Sequence, residues 1–140
     1  MSTRCQVIIK DECNELWFYR HSDGYPKGAL PTLTKFMKWV KEGKIRNNVE
    51  QASGWLILIG AEEYNSVIQF VNGKYERVQK PMEDIFNPNP KDIMGWKVGA
   101  YEPSMPRENG DIEYLYTLNL EKLTISIKDI STGKTIVKQI

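Results

Sequence analysis

The chain has 140 residues, of which 41% are hydrophobic and 26% are charged. This length and composition are typical of one folded domain with its own core, and they exclude extensive disorder. The 19 basic and 18 acidic side chains leave a net charge of +1. Proteins dedicated to DNA or RNA usually carry a clear basic excess, so long nucleic acid is not an expected partner.

The first predicted elements form a β-hairpin. Residues 6–10 and 16–20 are rich in strand-forming residues and flank a short polar turn at 11–15. The second strand is apolar on both faces, which is typical of a central strand. A tight loop is predicted at 21–28, where two glycines, a proline and an aspartate fall within eight residues.

Two helices are predicted next. Apolar residues recur at helical spacing in segment 31–42, which predicts one buried stripe, and Gly43 suits the helix exit. Asn48 and Gln51 have the spacing of a capping box, which predicts a second helix beginning at 48. The apolar run 55–59 is assigned to this helix, although periodicity alone also admits a buried strand.

The rest of the chain predicts antiparallel strands. Asn72 and Gly73 favour a type I′ turn between strands at 67–71 and 74–78. A loop rich in proline and asparagine is predicted at 80–93. Alternating apolar and polar residues predict strands at 96–101, 112–117 and 123–127 and a last strand to Val137, with a polar loop at 103–110 and a turn containing Gly133.

These elements predict one α+β domain over residues 1–140, in the order ββ–αα–ββ–ββββ. We expect the helix pair to pack on one face of an antiparallel sheet. Cys5 and Cys13 lack the spacing of a metal site and are expected to be free thiols in a reducing compartment. Residues 1–10 do not resemble a signal peptide, and the run 55–59 is too short to cross a membrane. A cytoplasmic location without a membrane partner is therefore expected.

The loop at 21–28 holds the side chains best suited to bind a ligand. Its single histidine, His21, lies two residues before Asp23 and close to the predicted helix N-terminus, which favours anions. The purely structural alternative has Asp23 capping the turn, His21 bonded to a loop carbonyl and Tyr25 in the core. We predict a shared pocket in which this loop faces the later tyrosines and glutamates. Its predicted ligand-binding residues are Arg20, His21, Asp23, Tyr25, Lys27, Tyr101, Glu102, Glu113 and Tyr114.

No catalytic, metal or cofactor motif is evident. One histidine and two cysteines are too few for a zinc site, and phosphate-binding glycine motifs and nucleophile elbows are absent from the sequence. The sequence therefore predicts neither a metal nor a cofactor and assigns no catalytic residue.

Three segments resemble blocks of one protein family. Residues 19–26, Tyr-Arg-His-Ser-Asp-Gly-Tyr-Pro, resemble an R-H-x-D-G-Y-P motif found in small proteins of phages, prophages and gut bacteria, most without an assigned function. Segments 96–103 and 110–116 are similar to two further blocks of that family. The resemblance covers most of the chain but implies no mechanism, and the aromatic residue usual after the histidine is Ser22 here.

The first functional hypothesis is a non-enzymatic binding protein. It would be phage-derived and homo-oligomeric, and it would sequester a small anionic, nucleotide-like ligand, in keeping with a counter-defence factor. The second hypothesis is a hydrolase of a nucleotide or similar ester, with His21 as general acid or base and Asp23 orienting it. The third is an inhibitor module that binds a host defence protein through an aromatic strand face formed by Tyr101, Tyr114 and Tyr116.

Overall fold

A computed structural model of the chain describes residues 2–64, 66–79 and 99–140. The elements are β1 (Cys5–Lys10), β2 (Glu15–Arg20), α1 (Pro26–Lys41), α2 (Val49–Tyr64), β3 (Ser66–Val71), β4 (Lys74–Gln79), β5 (Glu102–Ser104), β6 (Tyr114–Asn119), β7 (Thr124–Asp129) and β8 (Thr135–Gln139). The predicted α+β class and the order ββ–αα–ββ–ββββ are confirmed. Within the described ranges, neither helix reaches the length and apolarity needed to cross a bilayer.

Six strands form one mixed sheet in the order β5-β2-β1-β6-β7-β8, and β3 pairs with β4 separately. β1 lies inside the sheet, antiparallel to β2 and parallel to β6. The prediction of an antiparallel sheet therefore holds for every pair except β1–β6. β1 is buried from Cys5 to Ile9. The hydrophobic free energy of burying such an apolar strand in the centre of the sheet stabilises its pairing with a strand that is distant in sequence.

The helix pair packs on one face of the large sheet, as predicted. The apolar stripe of α1 is buried together with alternate residues of the central strands. Its main members are Leu33, Phe36, Met37 and Val40 from α1, Ala52 and Leu56 from α2, and Val7, Ile9, Phe18, Tyr116, Leu118 and Ile125 from the sheet. Hydrophobic burial of this stripe fixes how α1 lies on the strands.

The opposite face of the sheet is covered locally by the loop after β5. Gln6 is fully buried there. Its side-chain amide donates to the Ser104 hydroxyl at 3.2 Å and the Arg107 carbonyl at 3.0 Å, and its oxygen accepts from the Asn109 N–H at 2.8 Å. A buried amide with three partners costs little and holds the loop in one position.

The first helix begins five residues earlier than predicted, at Pro26 instead of residue 31. Proline suits the first helical position, because its missing N–H has no partner there in any helix. The Tyr25 carbonyl accepts the N–H groups of Gly28 and Ala29, both at 2.9 Å. The prediction of a loop through residue 28 was therefore wrong, and Pro31 lies inside the helix.

The second helix and the Asn-Gly hairpin form as predicted. The Asn48 side chain accepts the Gln51 N–H at 3.0 Å, which caps α2, and the run 55–59 is helical. Asn72 and Gly73 have φ values of 51° and 81°, the two positive angles of a type I′ turn. The predicted exit at Gly43 is also confirmed by its φ of 78°.

The strand before the long polar loop differs from the prediction. Residues 99–101 are not in a strand, and β5 instead covers Glu102–Ser104, where the polar loop was expected to begin. Pairing with β2 rather than local alternation decides this position, because Phe18 lies opposite Pro103. The predicted loop at 80–93 and the first three residues of the strand predicted at 96–101 lie outside the described residues.

Candidate functional site

Four polar side chains meet at one end of the large sheet, on the face opposite the helices. The Tyr19 hydroxyl donates to Asp111 Oδ2 at 2.8 Å, and Arg4 Nε lies 3.4 Å from the same oxygen. His21 Nδ1 lies 3.4 Å from both Arg4 Nε and the Tyr19 hydroxyl. We call Arg4, Tyr19, His21 and Asp111 the tyrosine–histidine cluster. It links an imidazole to a carboxylate through a phenol.

The strand register explains why these residues meet. Cys5 pairs with Arg20 in the antiparallel β1–β2 ladder, so continuing that register places Arg4 opposite His21. Tyr19 and His21 are two residues apart and therefore share a face. The loop held by Gln6 then leads to Asp111, and the Glu113 N–H donates to the Arg4 carbonyl at 2.8 Å.

A cleft of about 520 Å³ adjoins this cluster along β5. We call it the edge cleft, and its lining residues are Tyr19, Glu102, Pro103, Ser104, Met105, Arg107 and Asn109. Its volume lies in the range of small-molecule sites. The lining combines an aromatic ring and a thioether with one guanidinium, one carboxylate and neutral hydrogen-bonding groups, a mixture suited to a ligand with both a flat apolar part and an anionic part.

Tyr19 remains protonated over the whole physiological range. Burial raises its pKa, and the hydrogen bond to the Asp111 carboxylate raises it further, while Arg4 opposes the shift. The phenol is therefore a hydrogen-bond donor held in place by Asp111. Tyr19 is also one of the residues that line the edge cleft.

Arg20, by contrast, lies on the helix side of the sheet and is only 1% exposed. Its guanidinium forms a bidentate ion pair with Glu63 of α2, in which Nη2 lies 2.8 Å from Oε1 and Nη1 lies 3.0 Å from Oε2. Its Nε donates to the Ser22 carbonyl at 2.6 Å. Tyr101 is fully buried with its ring centroid 5.1 Å from the Arg20 guanidinium carbon. Side-chain alternation thus separates Arg20 and Tyr101 from His21.

This environment changes the pKa values of the buried groups. Burial acts to lower the pKa of Arg20, but the hydrogen bonds to Glu63, together with the electrostatic influence of Tyr101 and Glu63, raise it overall. Burial raises the pKa of Tyr101, against the influence of Arg20. Arg20 is therefore a permanently charged residue that joins β2 to α2.

The remaining predicted site residues lie at two other places. Tyr25, Glu113 and Tyr114 line a small depression of about 210 Å³ together with Thr3, Asp129 and Ser131. Asp23 and Lys27 are exposed, and Asp23 has a positive φ of 57°. Glu102 alone of the later acidic and aromatic residues lines the edge cleft beside Tyr19. The structure thus brings together subsets of the predicted residues rather than all nine.

Sequence reasoning missed Arg4, Tyr19, Arg107 and Asp111 as site residues. For Tyr19 a signal existed, because residues two apart on a strand share a face and His21 had been singled out. Asp111 and Arg107 reach the site only through the loop bonded to Gln6, and no local pattern predicts that placement. Residues 2–64, 66–79 and 99–140 hold no group of three or more histidine, cysteine or acidic side chains placed to bind a metal ion.

Comparison with known proteins adds no relative: no protein-family model, no curated protein and no solved structure matches the chain. The function of the edge cleft therefore has to be inferred from its own geometry and chemistry.

The two cysteines are expected to differ sharply in reactivity. Burial raises the pKa of the Cys5 thiol from 9.0 to about 12, with Arg20 opposing the shift, whereas Cys13 is exposed in the first hairpin. A chromogenic disulfide reagent at pH 8 should label one thiol per native chain within minutes and two in denaturant. Cys13→Ser should remove the fast label. Fast labelling of Cys5 in the native Cys13→Ser variant would contradict the buried position of β1.

Proposed function

We propose that this chain is a non-enzymatic binding protein for a small anionic ligand, a nucleotide by preference, and that the ligand occupies the edge cleft. The observation that carries the proposal is the tyrosine–histidine cluster at the rim of a cleft of about 520 Å³ that also contains Arg107. Pockets of this size with an aromatic wall and a few fixed polar groups are typical of small-molecule sites.

Each part of the cleft has a role in this proposal. Arg107 is exposed and supplies the guanidinium best suited to bind a phosphate group. The Tyr19 ring and Met105 provide apolar surface for a base, since aromatic stacking tolerates any nucleobase. The Asn109 side chain and the Glu102 carboxylate can form hydrogen bonds with sugar hydroxyls or base edges, whereas the Ser104 hydroxyl is already bonded to Gln6 and to the Met105 carbonyl. Glu102 lines the same cleft as Arg107, so the site favours a ligand of modest negative charge.

Binding without turnover suggests action by sequestration. A protein that removes a nucleotide signal from solution would fit the counter-defence role that we propose by analogy with other small phage proteins. The predicted homo-oligomer, the phage origin and the cytoplasmic location belong to the same proposal. Light scattering during gel filtration measures the oligomeric state directly, and a ligand-dependent change in mass would link assembly to the cleft.

The test is calorimetry combined with a thermal-shift screen. Nucleoside mono-, di- and triphosphates, cyclic dinucleotides and inorganic phosphate are titrated against the purified chain. At least one nucleotide should bind and raise the melting temperature, while phosphate alone binds more weakly. Arg107→Gln should weaken the binding of that nucleotide on the order of tenfold or more, because a charge-assisted hydrogen bond contributes about 1.5–3 kcal/mol.

Lys134→Gln is the matched control, because Lys134 is an exposed cation of the β7–β8 turn and lines no part of the edge cleft. It should bind the nucleotide like the parent chain. If no nucleotide binds, or if Lys134→Gln and Arg107→Gln weaken nucleotide binding equally, the edge cleft is not a nucleotide site.

A hydrolase remains a second proposal because one observation favours it. The hydrogen-bonded contacts from His21 through Tyr19 to Asp111 give the imidazole an orienting carboxylate, in the role first assigned to Asp23. If the chain hydrolyses a bound nucleotide, His21→Ala should abolish turnover and retain binding. Intact nucleotide after prolonged incubation with the parent chain would leave the binding protein as the better description.

A further inference from the structure

The outer surface of α1 carries a second open groove, separate from the edge cleft. This shallow groove has a volume of about 590 Å³, and its lining residues are Pro26, Lys27, Leu30, Pro31, Thr34, Lys35 and Lys38. None of these residues lines the edge cleft. We call this the α1 groove. It follows the helix from its first residue through its fourth turn.

The charge of the α1 groove has one sign. Among the described residues that line it, the ionisable ones are Lys27, Lys35 and Lys38, and Lys41 continues the row one turn further. None of these four lysines forms an ion pair with an acidic side chain in the part of the chain that the structure describes. Lys41 donates to the Ile140 carbonyl at 2.9 Å, and Lys35 lies 4.9 Å from the Trp39 ring centroid.

The floor of the groove is apolar. Leu30 packs partly against the core, and Pro26 and Pro31 present ring surface along the same side of the helix. Lysine stems add further apolar area while their ammonium groups remain in water. At 1.5 Å per residue, the distance from Lys27 to Lys38 is about 17 Å, which corresponds to about five residues of an extended peptide.

We propose that the α1 groove docks an acidic segment of a partner protein, a peptide in which aspartates or glutamates alternate with aliphatic residues. Carboxylates would pair with the lysine row, and the aliphatic side chains would lie on Leu30 and the two prolines. Because the lysine row is positively charged, charge complementarity favours a negatively charged partner segment. The apolar floor favours a peptide over nucleic acid, because none of the described residues that line the groove is aromatic and the whole chain carries a net charge of only +1.

The probe is a fluorescein-labelled twelve-residue peptide of repeating Asp-Leu-Glu-Leu, and its anisotropy is followed as the protein is added. Binding should be saturable and should weaken with salt. Lys35→Glu/Lys38→Glu should weaken it at least tenfold. Leu30→Ser should weaken it severalfold with little change in the salt dependence, because it removes only apolar contact. Circular dichroism melting of each variant shows whether α1 remains folded.

Lys134→Glu/Lys138→Glu introduces the same charge change on the turn and strand at the far edge of the sheet, and it should bind the peptide like the parent chain. A peptide of the same charge without leucine should bind at least tenfold more weakly. The proposal is overturned if the folded Lys35→Glu/Lys38→Glu variant binds normally, or if the leucine-free peptide binds equally well. It is also overturned if a 20-base-pair DNA or phosphatidylserine vesicles bind more tightly than the peptide and lose affinity in the same variant.

Discussion

Replacing Arg20 with methionine should lower the free energy of unfolding by about 3 kcal/mol. The substitution keeps most of the apolar stem but leaves Glu63 without its two-pronged partner and the Ser22 carbonyl without a donor. Removing one partner of a buried ion pair costs about 3–5 kcal/mol. The lower end applies here, because the Glu63 side chain is 31% exposed and regains some water. Urea denaturation followed by tryptophan fluorescence measures the change.

Two further variants separate the ion pair from packing. Arg20→Lys keeps the charge but cannot form two parallel hydrogen bonds to the Glu63 carboxylate, so its free energy of unfolding should lie between those of the parent chain and Arg20→Met. Arg107→Met removes an exposed arginine and should change stability by less than about 0.5 kcal/mol. If Arg20→Met unfolds at the same urea concentration as Arg107→Met, the Arg20–Glu63 pair does not stabilise the fold.

Opposite effects are expected from alanine at two glycines of α2. A methyl group at Gly60 would lie 2.9 Å from the Tyr101 backbone nitrogen. Relieving this clash would require α2 to move away from residues 100–101, and the Ala100 N–H is bonded to the Gly60 carbonyl at 3.0 Å. Gly60→Ala should therefore destabilise the fold by about 2 kcal/mol, within the range for overpacking. A methyl group at Gly54 would meet no neighbouring atom within 4 Å, so Gly54→Ala should raise the free energy of unfolding by about 0.5–1 kcal/mol.

Thermal melting of the two variants beside the parent chain tests this pair. For a domain of this size, 1 kcal/mol moves the melting temperature by several degrees, so the two shifts should be resolved and of opposite sign. A Gly60→Ala variant as stable as Gly54→Ala would mean that α2 and residues 99–101 do not pack as closely as the structure shows.

The helices could be predicted because their signals are local. The α1 stripe, the Asn48 cap and the Asn72–Gly73 turn each depend on a few neighbouring residues, and all three are confirmed. The start of α1 was misplaced because Pro26 was assigned to a turn, although proline also favours the first position of a helix.

The site was less predictable because its residues come together through distant pairings. Arg20 and His21 are neighbours in the motif, yet strand alternation places one beside Glu63 and the other beside Tyr19. Much of the motif also has a structural explanation. The Gly24 carbonyl accepts the buried Tyr116 hydroxyl at 2.7 Å, and Pro26 begins α1. His21 contacts the Tyr19 hydroxyl, and Tyr19 in turn bonds to Asp111 and lines the edge cleft.

The parallel partnership between β1 and β6 has a consequence for biosynthesis. β1 leaves the ribosome early, but its partner begins at Tyr114, so at usual elongation rates the two are separated by on the order of ten seconds. During that interval the nascent hairpin has a bare hydrogen-bonding edge and apolar side chains such as Val7 and Ile9 without cover. Chaperone binding to the emerging β1–β2 hairpin would protect it, and cooperative closure of the sheet has to await the synthesis of β6.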